Sequence, residues 1–327
     1  SSEILHQEII GESAILLELM AKARKMATAR VPTILLTGES GTGKELFSRY
    51  IHHAMHREDS YGQFPFIGVN CAALPEHLIE SELFGHEKGS FTDAKADKRG
   101  IFEMAYGGSI LLDEIGEMKQ NLQSKLLRVI EERKVRRIEG RVDIPIGVTV
   151  FATTNRDIEE AVDTGEFRMD LFYRLNAFSL RIPPLRERRK DIPLLARYFL
   201  THYSGKYNRK TLKGFSPEAE ELLLSYRWPG NIRELRNTIE RIVVLENEET
   251  ILPDHLPKEI LRQARAEKQT TRFDFILPDS GLSLEEVEKD LILQALEKAG
   301  NNKTLAAKLL NISYDSLRYQ VKKFGLE

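Results

Sequence analysis

The chain has 327 residues, 41% apolar and 30% charged, which is long enough for two or three domains with substantial cores and too apolar for a disordered chain. With 48 Lys+Arg against 50 Asp+Glu it is no polycation, so any nucleic-acid surface must be local. A single cysteine, Cys71, excludes an internal disulfide framework and a cysteine-based zinc site, and no apolar run is long enough to span a bilayer. The opening Ser1-Ser2-Glu3-Ile4 reads as no signal peptide, so a reducing cytoplasm is the expected compartment.

In chain order, residues 31–37 predict a buried strand that runs into a glycine loop, followed by a helix from Lys44 to about Ala54. Further strands are expected at 66–70, 109–112, 147–152 and 178–182, the last closed by Pro183-Pro184, with helical patterns between them such as Asn121 to Glu131. Continuous apolar strands alternating with helices predict an α/β fold, a parallel sheet covered on both faces. Beyond Glu187 the strand signal stops. Helices are expected at Asp191–Tyr203, at Ser216–Tyr226 with Ser216 as N-cap and Pro217 in the first helical position, and at Asn231–Glu246. The divisions that follow are an α/β unit at 6–186, an all-α lid at 187–257, a linker at 258–282 and an all-α unit at 283–327. The last opens with Ser283-Leu284-Glu285-Glu286, a capping box, with Leu282 and Val287 at the staple positions. Leu284, Val287, Leu291, Ala295 and Ala299 share one helical face, and short helices follow at Thr304–Leu310 and Tyr314–Phe324.

Gly38-Glu39-Ser40-Gly41-Thr42-Gly43-Lys44-Glu45 lies between a strand and a helix, the context in which G-x4-G-K cradles phosphates. Glycines let backbone N–H groups turn onto phosphate oxygens, and the helix N-terminus adds its positive end. Lys44 is expected to reach the β- and γ-phosphates; Glu45 stands where a Mg²⁺-binding hydroxyl is usual. Asp113 and Glu114 end the strand at 109–112, at the sheet edge where such folds bind ligands. Asp113 suits Mg²⁺, and Glu114 suits polarisation of an attacking water, so the pair of motifs points to hydrolysis of a nucleoside triphosphate.

With Asn70-Cys71-Ala72-Ala73-Leu74, Ser81-Glu82-Leu83-Phe84-Gly85-His86-Glu87-Lys88-Gly89, the string from Phe167 to Leu175 and Trp228-Pro229-Gly230-Asn231-Ile232-Arg233-Glu234-Leu235, the chain resembles the bacterial enhancer-binding proteins. These are NtrC-type AAA+ activators of sigma-54 RNA polymerase. The resemblance covers nearly the whole chain and lacks the family's N-terminal regulatory domain. It implies that Glu45 is ordinary after the loop lysine, that Asn70 holds Glu114 in an inactive pose, and that Thr154-Asn155 sense the γ-phosphate. It implies that Arg168 and Arg174 are arginine fingers acting in trans, so that hydrolysis needs a homo-oligomeric ring, dimers assembling to a hexamer or heptamer. Arg233 matches the lid's sensor, and Ile10 and Gly11 lie near adenine in such folds. Spacing alone reads Arg174 as a helix pair with Asp170, and Arg168 as a surface charge near Glu166.

The family's surface loop reads Gly89-Ser90-Phe91-Thr92-Asp93-Ala94 here; Phe91 and Thr92 are the expected sigma-54 contacts, and Asp93 stands in place of glycine. From Gly300 onward five basic residues face two acids, and Ala306, Leu309, Leu310, Ile312, Leu317 and Val321 have helix-turn-helix core spacing, with Asn311 in the turn. The segment looks like a Fis-type reader of enhancer DNA, with Ser316, Arg318, Tyr319, Gln320 and Lys322 facing the groove or its phosphates. The helix from Leu284 to Ala299 would offer a dimer surface. The leading expectation is an ATP-driven remodeller of the sigma-54 closed complex. The alternatives are a related DNA-binding regulator without sigma-54 remodelling, and a generic AAA+ unfoldase.

Overall fold

The computed structural model describes residues 9–57, 64–73, 75–90, 96–209, 212–246, 248–269 and 281–326, in two compact units divided after Lys268.

Five parallel strands form the sheet of the first unit: β1 (Thr33–Thr37), β2 (Phe66–Asn70), β3 (Ser109–Asp113), β4 (Thr149–Thr154) and β5 (Ser179–Arg181), in the spatial order β2-β3-β4-β1-β5. Successive side chains alternate between the two faces, and both faces are buried. Ile34, Leu36, Leu111 and Phe151 pack with Leu16, Phe47 and Ile51, whereas Leu35, Ile110, Leu112, Val150 and Ala152 pack with Leu122, Leu126, Leu171 and Leu175. The first face is covered by the helices Ala14–Thr28 and Lys44–Met55 and the second by Gln120–Glu132 and Met169–Asn176. Register sets the functional edge. Thr37 pairs with Thr154 and Asn70 with Asp113, so the carboxyl ends of four strands open on one side. β4 runs two residues beyond the expected Ala152, because Thr153 and Thr154 are fully buried and pair with Leu36 and Thr37.

The lid comprises the helices Asp191–Lys206, Pro217–Ser225, Asn231–Leu245 and Lys258–Gln269. Ser216 caps the second through the Ala219 N–H, as expected, and Trp228, fully buried, donates its indole N–H to the Leu223 carbonyl at 2.8 Å. The fourth helix corrects the expected linker at 258–282. Pro257 opens it, its carbonyl accepting the Ile260 N–H, and Ile260 is buried in the lid core. The charged residues that made the segment read as a linker include the exposed Lys258, Glu259 and Arg262 of a helix whose apolar side is short. Residues 270–280 lie outside the described residues.

In the second unit, Leu284–Lys298 packs against Lys303–Leu309 and Tyr314–Lys323 through Ile292, Ala295, Leu296, Ala299, Ala306, Leu317 and Val321. Ser283, Asn302 and Ser313 each cap a helix, and Asn311 adopts φ 54° in the turn. Leu284, placed on one helical face with Ala295 and Ala299, is 86% exposed while those two are buried. Apolar packing on this helix is centred on its second half; nearer its start the contacts include the polar pairs Glu285–Lys323 and Glu288–Gln320. Ile260→Ala should destabilise the first unit by about 2–4 kcal/mol, through transfer and cavity costs, in urea unfolding; a linker residue would show no change.

Candidate functional site

The phosphate loop, residues 38–43, leaves β1 and enters the helix Lys44–Met55 through Gly43 at φ 102°. Gly41 has φ 75°, and a Cβ there would lie 2.4 Å from the Gly230 carbonyl oxygen, so this position needs glycine on two counts. The buried Lys44 ammonium donates to the carbonyls of Gly38 (2.7 Å) and Glu39 (3.1 Å), so the loop curls around the charge. Burial lowers the Lys44 pKa, and Glu114 and Asp113 oppose that shift as nearby anions.

Asp113 ends β3, and the Thr153 hydroxyl donates to its Oδ1 at 2.5 Å. Glu114 follows in the left-handed region (φ 55°, ψ 50°), a conformation that costs a non-glycine residue about 1–3 kcal/mol and that collects at functional sites. Its N–H donates to Thr153 Oγ1 at 3.3 Å. Asn70 departs from expectation. Its Oδ1 accepts the Ala72 N–H at 2.8 Å and its Nδ2 faces Asp113 Oδ2 at 3.5 Å, with no hydrogen bond to Glu114. The parallel register puts Asn70 opposite Asp113, and the chain leaves the strand direction at Glu114. Thr154 is fully buried; its carbonyl accepts the Gly38 N–H, while Asn155 is exposed. Glu45 also departs. It is exposed and pairs with Arg49 one helical turn on (2.8 Å), away from the loop's polar contacts.

The lid holds this loop from the other side. Arg186 makes a two-bond pair with Glu39 (2.7 and 2.5 Å), which holds the Glu39 carboxyl at about 2 against the partial burial that opposes it. Asn231 accepts the Leu185 N–H and donates to the Ser40 carbonyl at 3.0 Å, and the Ile232 N–H donates to the Gly41 carbonyl. Arg233 Nη1 donates to Ser40 Oγ at 3.2 Å. Arg188, only 2% exposed, donates to the Thr42 carbonyl at 2.9 Å. Asp191, with no exposed surface, accepts the N–H groups of Glu12 and Ser13 and the Ser13 hydroxyl. Ile9 packs on the α/β core and Ile10 on the lid core, with Gly11 against Asp191, so this segment spans the crevice beside the loop. Arg186, Arg188, Asp191 and the side chain of Asn231 escaped the sequence reading. The signal was present as Leu185-Arg186-Glu187-Arg188, a basic cluster directly after two prolines.

Arg168 stands at the N-cap position of the helix Met169–Asn176, where its side chain makes no capping bond, and forms two bonds with Asp170 (3.0 and 2.6 Å). Asp170 is thereby taken, so the helix pair that spacing alone gives Arg174 does not form; Arg168 is an exposed charge, as its spacing reads, and Glu166 pairs with Arg156. Arg174 is exposed and makes no ion pair among the described residues; the Arg133 pKa falls first through burial and then through the like charge of Arg174. Neither Arg168 nor Arg174 bonds to the phosphate loop of its own chain among the described contacts. Phe91, Thr92 and Asp93 lie outside the described residues. The base of their loop is held by the ribbon Gly85–His86/Lys98–Arg99 and by Lys88 N–H on Asp97.

On the helix Tyr314–Lys323, Arg318, Tyr319 and Lys322 are exposed. Ser316 shares a hydrogen bond with the capping Ser313 hydroxyl. Gln320 leaves the expected set, since its amide donates to Glu288 at 2.7 Å on the inner side of the unit.

Residues 9–181 match the model of the sigma-54 interaction domain, 186–273 that of an AAA+ ATPase lid domain and 283–324 that of the bacterial regulatory proteins of the Fis family. Regulatory protein AtoC of Escherichia coli (strain K12) is 43% identical over 98% of this chain and 68% of its own length. Transcriptional regulatory protein ZraR of Klebsiella oxytoca is 46% identical over 94% of this chain and 67% of its own. The crystal structure of NtrX from Brucella abortus in complex with ADP superposes with a TM-score of 0.69 at 31% identity, covering 97% of this chain and 70% of that one.

The Glu39–Arg186 pair is partly exposed, so a double-mutant cycle of Glu39→Gln and Arg186→Ala should give a coupling of about 0.5–1 kcal/mol at neutral pH. Because the folded-state value is depressed from 4.5 to about 2, the contribution is full above pH 4.5 and is lost as pH falls toward 2.

Proposed function

The chain belongs to the family of sigma-54-dependent AAA+ transcriptional regulators, and from that premise we propose how its residues divide the work. It is an ATPase that uses ATP with Mg²⁺, joined to a Fis-type helix-turn-helix unit. The reading without sigma-54 function is not favoured, because the matched domain spans the 89–94 loop with its Ser90 and Asp93.

The observation that carries the mechanism is the convergence of Lys44, Asp113, Glu114 and Arg233 around one loop, while Arg174 stands exposed with no ion pair among the described residues. Lys44 exchanges the Gly38 and Glu39 carbonyls for phosphate oxygens. Asp113, oriented by Thr153, would hold Mg²⁺, which would supply charge neutralisation at the phosphates. Glu114 orients and polarises the attacking water. Its left-handed backbone aims the carboxylate out of the strand direction. Asn70 acts on this pair through Asp113. Thr154 and Asn155 read the γ-phosphate, since the Thr154 carbonyl already holds the Gly38 N–H. Arg233 reports nucleotide to the lid. Ile10 and Gly11 flank the base.

Arg168 and Arg174 act on the γ-phosphate of a neighbouring copy. Catalysis by phosphoryl transfer is positioning plus charge compensation, and a guanidinium supplied in trans contributes about 10³–10⁵ in rate. The working form is therefore a ring of copies, six or seven in number. Its 89–94 loop, through Phe91 and Thr92, pushes on sigma-54 RNA polymerase, and Arg318, Tyr319 and Lys322 tether it to enhancer DNA in the bacterial cytoplasm. No described helix is long and apolar enough to cross a membrane.

Glu114→Gln should bind ATP normally and lose about 10²–10⁴ in kcat, read by phosphate release. Arg174→Ala should bind ATP and lose about 10³ or more in kcat. Turnover per chain that stays constant on dilution to single copies would overturn the trans-acting site. Sigma-54-dependent open-complex formation on a matched enhancer, abolished by either substitution, tests the coupling.

A further inference from the structure

Beside the phosphate loop a cleft of about 400 Å³ is lined by Ser40, Gly230, Arg233, Asn237, Thr238 and Arg241. Arg233, Asn237 and Arg241 recur every four residues on the helix Asn231–Leu245, so they share one face and extend about 12 Å along its axis. The acid in this wall is already engaged: Glu234 accepts the Gly230 N–H at 2.7 Å and the Tyr226 hydroxyl at 3.1 Å. Arg241 makes no ion pair among the described residues. The cleft is thus a cationic groove that begins at the nucleotide site and continues outward along the lid.

A surface of opposite sign lies beside the arginine fingers. The helix Ile158–Asp163 carries Glu159, Glu160 and Asp163, all exposed, and these side chains form no ion pair among the described residues. It packs directly before the finger helix, with the Phe167 N–H donating to the Ala161 carbonyl at 2.8 Å. The two helices are thus adjacent in the chain and joined by this bond, acids on the first and Arg168 and Arg174 on the second.

We infer that the acidic helix of one copy docks into the arginine-lined cleft of the next. The inference rests on the trans-acting reading above and supplies the seam that reading needs. If the neighbour's fingers and the chain's own Arg233 converge on one γ-phosphate, the elements flanking them must abut. The flank of the fingers is anionic and the flank of Arg233 is cationic. Juxtaposition satisfies both surfaces within a Debye length of about 8–10 Å. It also places three guanidinium groups near one phosphate with carboxylates interleaved, which limits the like-charge repulsion that three bare cations would suffer. The occupant is a second copy of this chain, because the acidic helix and the fingers it must deliver are covalently adjacent. Docking is then coupled to finger delivery, and assembly is steered by charge.

The test measures ATPase activity against chain concentration for the whole chain. First, Lys44→Ala and Arg174→Ala chains are mixed; recovery of hydrolysis shows that the finger acts in trans. Second, Arg241→Glu should raise the concentration for half-maximal activity about tenfold, and Glu159→Gln with Glu160→Gln and Asp163→Asn should raise it similarly while flattening its dependence on ionic strength. Third, Arg241→Glu combined with Glu159→Lys, Glu160→Lys and Asp163→Lys should return the midpoint to within about threefold of wild type. Circular dichroism melts confirm that each variant folds, and Arg241→Gln replaces Arg241→Glu if that variant does not. If mixed chains stay inactive, the trans-acting site falls and the seam with it. If mixing restores activity while the neutral or reversed variants assemble like wild type, or the combined reversal is no better than its parents, the seam alone is overturned.

Discussion

A buried guanidinium bonded to a backbone carbonyl of the phosphate loop is the constraint on which much of the first unit turns. Arg188 reaches Thr42 from the lid, and the Arg186–Glu39 pair, Asn231 and the Ile232 N–H repeat the same connection at neighbouring positions of the loop. Burying a cation is costly unless its donors are used, so a lid that swings away exposes several unmet groups at once. The lid and the loop are therefore joined by Arg186–Glu39, Arg188–Thr42, Asn231–Ser40 and Ile232–Gly41. Nucleotide that changes the loop must change the lid, and the reverse holds by linkage. Asp191 extends the same junction to the chain segment at Glu12 and Ser13, which closes the crevice from a third side.

The chemistry of the site is set by sheet register rather than by any single motif. Parallel pairing aligns Asn70 with Asp113 and Thr37 with Thr154, so the Asp113 carboxylate, its neighbours and the phosphate loop share one edge. The αL turn at Glu114 then separates two adjacent acids into different roles. Two consecutive residues on an extended strand would point to opposite faces, and one would be lost in the core. Strain at Glu114 is the cost of keeping both at the edge. The helix Met169–Asn176 carries a complementary arrangement, an Arg168 paired with Asp170 and an exposed Arg174 with no ion pair among the described residues.

The second unit is held by local devices. Three N-caps, a left-handed Asn311 and a small apolar cluster define three short helices. What its third helix exposes follows from the core positions Leu317 and Val321, which turn Arg318, Tyr319 and Lys322 outward and leave Gln320 bonded to Glu288.

Residues close together in the chain made much of this legible beforehand. The apolar strand, the glycines and Lys44 form one continuous string, Asp113 and Glu114 end one strand, and Ser216-Pro217 and Ser283 announce helix starts, because each of these depends on the backbone within a few residues. Tertiary structure decided the remainder. The helix at 258–269 exists because Ile260 meets a core assembled from distant segments, and composition alone hid it. Asn70 faces Asp113 and Gln320 faces Glu288 because pairing depends on which charge or amide arrives nearest in space. Arg188 and Thr42 are 146 residues apart in sequence, and no local rule links them. A side chain's type is written in the chain, but its partner is chosen by packing, which brings together groups that the sequence keeps apart.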